Sequence, residues 1–423
     1  MTSVVGILNK RGVAIAADSA VTRGWKKNGL DVEKYTKNGN KMVRLSEGIP
    51  VAVMIIGSAE YHHTPWDVIV RRYRQKRGHL EHSTVEASAL DFFDFIQSDP
   101  VFWRVDDRDF GVRLVKTVFE CIKSEMEESY DSDSDDDSAP SAIFIRVFRH
   151  AAASLQKKWI KKGIAPQYKD YSMASFLSAY DSIITDFLDN TDYDDDVLKG
   201  IRPSFEETLW MAFRTGIKCD DSTTLVFTGY GKDQVYPSLV SANVCGGFDR
   251  RVNYHICPDD IVCISADKPV AIRSFAQDDV IKSVLNGIHM GWLIGASVFP
   301  RIVDPRLSYY FKPSIGEKDP GFEFTEMLKE VETEDLLHRF STERNRLLNK
   351  NQRMWERSLK DRDLEDLASL ADCLIDLTGL HRLLTFSPEG VGGPVDVAVI
   401  SKNEGFTWLR RKNWYHKDGP MGV

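Results

Sequence analysis

Apolar residues follow two rhythms along this chain. The first is the short β-prone run closed by turn residues. Ser3 to Leu8 (SVVGIL) and Val13 to Ala17 (VAIAA) are rich in β-branched and small apolar residues, and Asn9, Lys10, Arg11 and Gly12 supply turn chemistry between them. They predict a buried hairpin with Asp18 at its far end. A short run at Met42, Val43 and Leu45 and a longer one at Val51 to Gly57 follow. From Thr223 the pattern returns as TTLVFTGYG, then Val235 to Val244, Val252 to Ile256 and Ile261 to Ser265. Val395 to Ile400 and Phe406 to Leu409 predict a last pair of strands.

The second rhythm repeats every three to four residues. Trp66, Ile69, Val70 and Tyr73 begin it, and stripes centred on Phe93, Val118, Phe148, Tyr180 and Leu209 predict several amphipathic helices across 61–218. That stretch reads as a helical insertion between strands, about the size of a small domain. Inside it the acidic run 127–141, EESYDSDSDDDSAPS, has almost no apolar content and predicts a flexible surface loop. Phe275 to Ser297 predicts a further helix, with Asp278 and Asp279 placed to favour its first turn. A second insertion is expected at 301–363, Pro-rich and then strongly charged. Leu364, Leu367, Ala371, Leu374 and Leu377 after it predict a core helix.

Composition narrows the function classes. A chain of 423 residues with 42% hydrophobic content suits one large or two medium domains, and a net charge of −8 gives no support to a nucleic-acid partner. The basic clusters at Arg71-Arg72, Lys157-Lys158 with Lys161-Lys162, and Arg410-Arg411-Lys412 read as solvated faces. Six cysteines form no C-x-x-C pair and are expected to be reduced core residues. No apolar run approaches the roughly 20 residues that cross a bilayer, and no signal-peptide pattern precedes the first strand, so no membrane partner and a cytoplasmic location are expected.

No cofactor or metal is expected either. The D-x-D-x-D start of the acidic run lacks the glycine and closing glutamate of a calcium loop. Gly229-Tyr230-Gly231-Lys232 lacks phosphate-loop spacing and reads as a hairpin turn. His338 and His381 have no second ligand at the i+4 position to suggest zinc.

The chemistry that remains is at the start of the chain. Once Met1 is removed, Thr2 carries a free α-amine beside its own hydroxyl, and an amine of pKa about 7.7–8.0 is one of the few groups able to act as a base near neutrality. A fixed cation nearby would disfavour its protonated form, and a carboxylate would hold that cation. Lys41, in KNGNKMVRL, and Asp18 supply the pair.

T-S-V-V-G near the terminus, G-V-A-I-A-A-D-S with Thr22 behind it, K-N-G-N-K before a strand, and an apolar strand ending in Gly57-Ser58-Ala59 together resemble a proteasome β-subunit. The G-Y-G turn at 229–231 and the G-G-P-V-D-V-A-V-I-S-K stretch at 392–402 extend the likeness. It covers 2–60, roughly 222–300 and roughly 364–410, with helices inserted at two connections. The resemblance is to N-terminal-nucleophile hydrolases, here as a divergent bacterial-type member. It implies an α+β fold, a four-layer α-β-β-α sandwich, as one domain spanning 2–423. It further implies a threonine peptidase with Thr2 as nucleophile, Asp18 as orienting acid and Lys41 as the lysine that lowers the amine pKa. Oxyanion donors are expected on the backbone near Met54 and Gly57, and a supporting shell around Ser274, Glu389, Gly392 and Gly393. The pattern also departs from the family. Its G-S-G turn is missing near Ala276, Val391 replaces a serine, and Pro388 stands where an aspartate is expected, with Glu389 as a stand-in.

The implied partners are a peptide or protein substrate, further copies in a homo-oligomer, and a separate ATPase unfoldase, since no ATP-binding motif is present. Two other readings stand beside this one: a small-molecule amide or acyl hydrolase of the same fold, and an inactive scaffold whose insertions bind partners. Retention of Met1 would favour the scaffold.

Overall fold

The computed structural model describes residues 2–27, 30–36, 39–103, 108–129, 139–161, 163–217, 222–248, 250–287, 333–385 and 392–412. It is mixed α and β, with antiparallel sheets. The chain opens with β1 (Ser3–Asn9), β2 (Gly12–Ala17), β3 (Val21–Lys27), β4 (Leu30–Thr36), β5 (Met42–Arg44), β6 (Val51–Gly57), β7 (Glu60–Tyr61) and β8 (Thr64–Pro65). Helices α1 (Trp66–Arg77), α2 (Val85–Ser98), α3 (Arg108–Ser129), α4 (Pro140–Ile160), α5 (Met173–Asp189) and α6 (Asp195–Thr215) follow. The chain then returns to strands with β9 (Thr223–Gly229), β10 (Ser238–Phe248), β11 (Arg251–Ile256), β12 (Val262–Cys263) and β13 (Val270–Ala276). Last come α7 (Asp279–Asn286), α8 (Thr333–Leu359), α9 (Leu364–Leu384), β14 (Asp396–Ser401) and β15 (Gly405–Arg410).

Two compact units result. One comprises Met1–Gly39, Ile264–Ile400 and Thr407–Val423; the other comprises Asn40–Cys263 and Ser401–Phe406.

The first unit is built on a five-stranded sheet in the order β13-β1-β2-β14-β15. Every residue of β1 and β2 is buried, as expected for strands that are almost wholly apolar. Val5, Ile7, Ala14 and Ala16 of the hairpin pack with Ile281 of α7, Leu359 of α8, and Leu367, Ala371 and Leu374 of α9. Asn9 explains why the hairpin turn is polar and yet fixed. Its Oδ1 accepts from the Arg11 amide at 2.9 Å and the Gly12 amide at 3.3 Å, while its Nδ2 donates to Leu359 O at 3.1 Å and Arg362 O at 2.9 Å. Gly12 is needed for close approach: a Cβ there would sit 2.3 Å from the Ile400 carbonyl oxygen of β14.

In the second unit β11-β10-β9-β6-β5 form the main sheet, with β12 paired to β10. α1 and α2 cover it through Trp66, Tyr73, Phe92 and Phe93, which join Val53, Leu225 and Phe227 in one core. Helices α3 to α6 have their own aromatic core, including Phe119, Phe148, Phe176, Phe205 and Phe213. Helix α6 and the turn at Tyr168 are tied to β11 through Asn253, whose Nδ2 donates to Phe213 O at 3.1 Å and Tyr168 Oη at 3.2 Å.

Several sequence expectations are corrected. The helix expected at Phe275 to Ser297 begins only at Asp279, because β13 pairs with β1 as far as Ala276 opposite Ser3 and that ladder claims the backbone first. Residues 288–297 lie outside the described residues. The strand expected at Val235 to Val244 runs Ser238–Phe248 instead, set by its pairing with β9 and β11. Of the loop expected at 127–141, residues 127–129 belong to α3 and 140–141 to α4, while 130–138 lie outside the described residues. Cys263 and Cys373 are exposed rather than core residues. In α9, Leu367 and Leu374 are buried as expected, but Leu377 is exposed, as are Leu380, Leu383 and Leu384 beyond it. Among the described residues no helix is long and apolar enough to cross a membrane.

Candidate active site

The register of β1 and β2 pairs Val4 with Ala17, which sets Ser3 beside Asp18. Asp18 is buried, and its carboxylate is held by backbone amides. Ser3 N–H donates to Oδ1 at 2.8 Å; Ala20 N–H and Gly392 N–H donate to Oδ2 at 3.2 and 3.3 Å. The Asp18 amide in turn donates to Ser3 O at 3.2 Å.

Thr2 is thus gripped from both sides of its peptide. Its neighbour's amide is on Asp18, and its own carbonyl accepts from Gln277 N–H at 3.1 Å. Thr2 is also largely buried, at 8% exposure. Ser274 lies in β13 opposite Val5, and its Oγ is 3.5 Å from Asp278 Oδ2, a long contact. Gly392 reaches Asp18, and Gly393 follows it directly. Glu389 and Met1 lie outside the described residues.

The second unit holds the other expected groups. Lys41 is buried at 5% exposure and immediately precedes β5; its carbonyl accepts from Ile55 N–H at 2.8 Å. Asn40, one residue earlier, donates from Nδ2 to Asp67 of α1 at 3.2 Å, so the segment is fixed on both sides of the lysine backbone. Met54 sits inside β6, paired with Met42 of β5 and Val226 of β9. The Ile55 bond turns odd-numbered amides of β6 towards β5, so the ladder alternation turns the Met54 amide towards β9. Gly57, at the strand's exposed end, has the odd-numbered orientation and is the better-directed donor of the two.

No protein-family model matches the chain, and no curated protein matches it. Among solved structures it is similar to the Anbu (Gly-1) mutant from Hyphomicrobium sp. strain MC1, with 10% sequence identity and a TM-score of 0.26 over 97% of this chain and 86% of that one. A likeness this slight carries no argument about chemistry.

Sequence reasoning missed one feature near Asp18. Lys412, read as part of a solvated basic run, is buried, and its Nζ donates to Asp396 Oδ2 at 2.6 Å, to Ser19 Oγ at 3.4 Å and to Gly39 O. The Lys412 amide adds a 2.7 Å bond to Asp396 Oδ1, and Gly39 N–H donates to Ser19 O at 3.0 Å. An ammonium whose protons all have acceptors is what makes such burial tolerable. The cluster fixes both Ser19, next to Asp18, and Gly39, two residues ahead of Lys41. The signal in the sequence was an aspartate inside the otherwise apolar run Val395 to Ile400. Arg72 and Lys158, in the other basic clusters, likewise have buried carboxylate partners, Asp99 and Glu125.

Proposed function

We propose that this chain is a threonine-type N-terminal-nucleophile hydrolase that cleaves peptide bonds after removal of Met1, with its sheets and helices layered as an α-β-β-α sandwich. The reading rests on the Asp18 carboxylate, which bonds the amide just behind Thr2 and the amide of Gly392. That arrangement gathers the expected nucleophile, acid and C-terminal glycine in one unit.

The reaction follows from the groups. Thr2 Oγ attacks the carbonyl carbon of a substrate amide while the α-amine of Thr2 takes the hydroxyl proton, directly or through a water. The tetrahedral oxyanion is met by a backbone amide, for which Gly57 is our candidate. Collapse breaks the C–N bond, the departing amine takes the proton, and an ester on Thr2 remains. Water then attacks the ester and releases the acid, restoring the hydroxyl. Lys41 serves by keeping the α-amine neutral, and Asp18 by holding the lysine. A carboxylate offers about four acceptor sites, so three backbone amides do not exhaust it.

Peptide or protein substrates, assembly with further copies of the chain, and delivery by a separate ATPase belong to the same proposal. Intact-mass measurement of the purified protein with and without a peptide epoxyketone tests it. The expected masses lack Met1 and rise by one inhibitor, and Thr2→Ala abolishes the adduct. Retained Met1 and no adduct would turn the assignment to an inactive scaffold.

A further inference from the structure

We propose that Thr223 and Trp66 are positioning residues for the backbone that stabilises the oxyanion; this rests on the reaction proposed above. Their setting is the point where β6 leaves the sheet. Gly57 has φ +93, in the left-handed region that favours glycine, and a Cβ on it would lie 2.4 Å from Ser222 O. The chain therefore turns sharply at the one residue offered as oxyanion donor.

The next residue, Ser58, is held at each of its backbone polar atoms. Its N–H donates to Ser222 O at 3.3 Å, and its carbonyl accepts from Thr223 Oγ1 at 2.8 Å. Thr223 Oγ1 accepts in turn from Trp66 Nε1–H at 3.0 Å. The direction of this relay is fixed by chemistry. An indole N–H can only donate, so the threonine oxygen is the acceptor in that bond and its single proton goes to Ser58 O. Thr223 and Trp66 are 2% and 1% exposed, which removes competing water.

Packing alone does not require this polar pair. Trp66 lies in an apolar core among Tyr61, Phe92 and Leu225, where a purely hydrocarbon neighbour would fill space as well. What the hydroxyl adds is a directed bond to the Ser58–Ala59 peptide, the second after Gly57. Together with the bond from Ser58 N–H to Ser222 O it pins both peptides that follow Gly57, and so the backbone from which the Gly57 N–H projects. A donor that is already aimed needs no reorganisation when charge develops, which is where most of its catalytic value lies.

The test uses the full chain with Thr223→Val, Thr223→Ser and Trp66→Phe. Valine keeps the shape and removes the hydroxyl; serine restores it. We expect hydrogen exchange of the Ser58 amide to quicken at least tenfold in Thr223→Val and Trp66→Phe and to recover in Thr223→Ser. For a fluorogenic peptide amide, kcat should fall about 10- to 100-fold in the first two with KM within about twofold, less than the 10²–10³ lost when a donor is removed outright. Thr223→Ser should regain most of it. Unchanged Ser58 exchange, or an unchanged kcat in a protein whose Thr2 still reacts with the epoxyketone, would overturn the inference. A wild-type protein that neither turns over nor reacts would instead remove the catalytic reading itself.

Discussion

Ser3 donates its amide proton to Asp18 across a separation of fifteen residues, at 2.8 Å, and so fixes the start of the chain to the end of the second strand. Replacing Asp18 with alanine leaves the amides of Ser3, Ala20 and Gly392 without their acceptor in a buried site. Hydrogen bonds to charged groups contribute about 1.5–3 kcal/mol each and a buried unsatisfied donor costs about 1–3. Urea unfolding of Asp18→Ala should show a loss of at least about 2 kcal/mol. A loss below about 0.5 kcal/mol would mean that the carboxylate does not hold these amides.

Lys412 and Asp396 form a buried pair in the first unit. Lys412→Met should cost about 3–5 kcal/mol, because it strands the Asp396 carboxylate away from water. The double variant Lys412→Met with Asp396→Leu should lose much less than the sum of the two single changes, which a double-mutant cycle in urea reads directly. Additive losses would show that the pair is not coupled.

Asp99 makes stability depend on acid pH. The Arg72 guanidinium at 2.7 Å and the Lys76 ammonium at 2.9 Å hold its carboxyl well below the usual carboxylate range. A lowered folded-state pKa contributes stability that is complete above the unfolded value of about 3.9 and is lost as pH falls below it. Both cations are partly exposed, so the contribution is about 1–2 kcal/mol rather than that of a dry pair. Asp99→Asn should be less stable than the parent at pH 7, and the difference should narrow steadily below about pH 4. A constant difference down to pH 2 would contradict this.

Gly12→Ala tests the tight passage of β14. The added methyl would lie 2.3 Å from the Ile400 carbonyl oxygen, a backbone atom that cannot rotate away. Strand β14 or the hairpin turn has to shift, at about 1–3 kcal/mol. Thermal unfolding should fall by several degrees, and a variant as stable as the parent would show that the turn relaxes freely.

Much of this architecture is legible from periodicity. The hairpin at Ser3 to Ala17 and the helices around Phe93, Val118, Phe148, Tyr180 and Leu209 are found where their apolar spacing predicts them, because the hairpin strands are buried throughout and each helix buries one continuous face. Boundaries set by pairing are less legible: Phe275 has helix-start neighbours, yet β1 takes its backbone. The burial of Lys412 cannot be read from Arg410-Arg411-Lys412, since its acceptors are Asp396, Ser19 and Gly39, brought together only by the fold. Leu377 fits the stripe of α9, and whether such a position is covered depends on what lies beside the helix rather than on its spacing.

The carboxamide of Asn9 closes its turn against the carbonyls of Leu359 and Arg362, residues 350 and 353 positions later. During vectorial synthesis at about 5–20 residues per second, the ribosome needs roughly 20–70 s to make that intervening length. This hairpin is therefore made long before its turn is locked. Until then its apolar strands are open to chaperones, and a chain truncated before Leu359 would lack the acceptors that finish its opening turn.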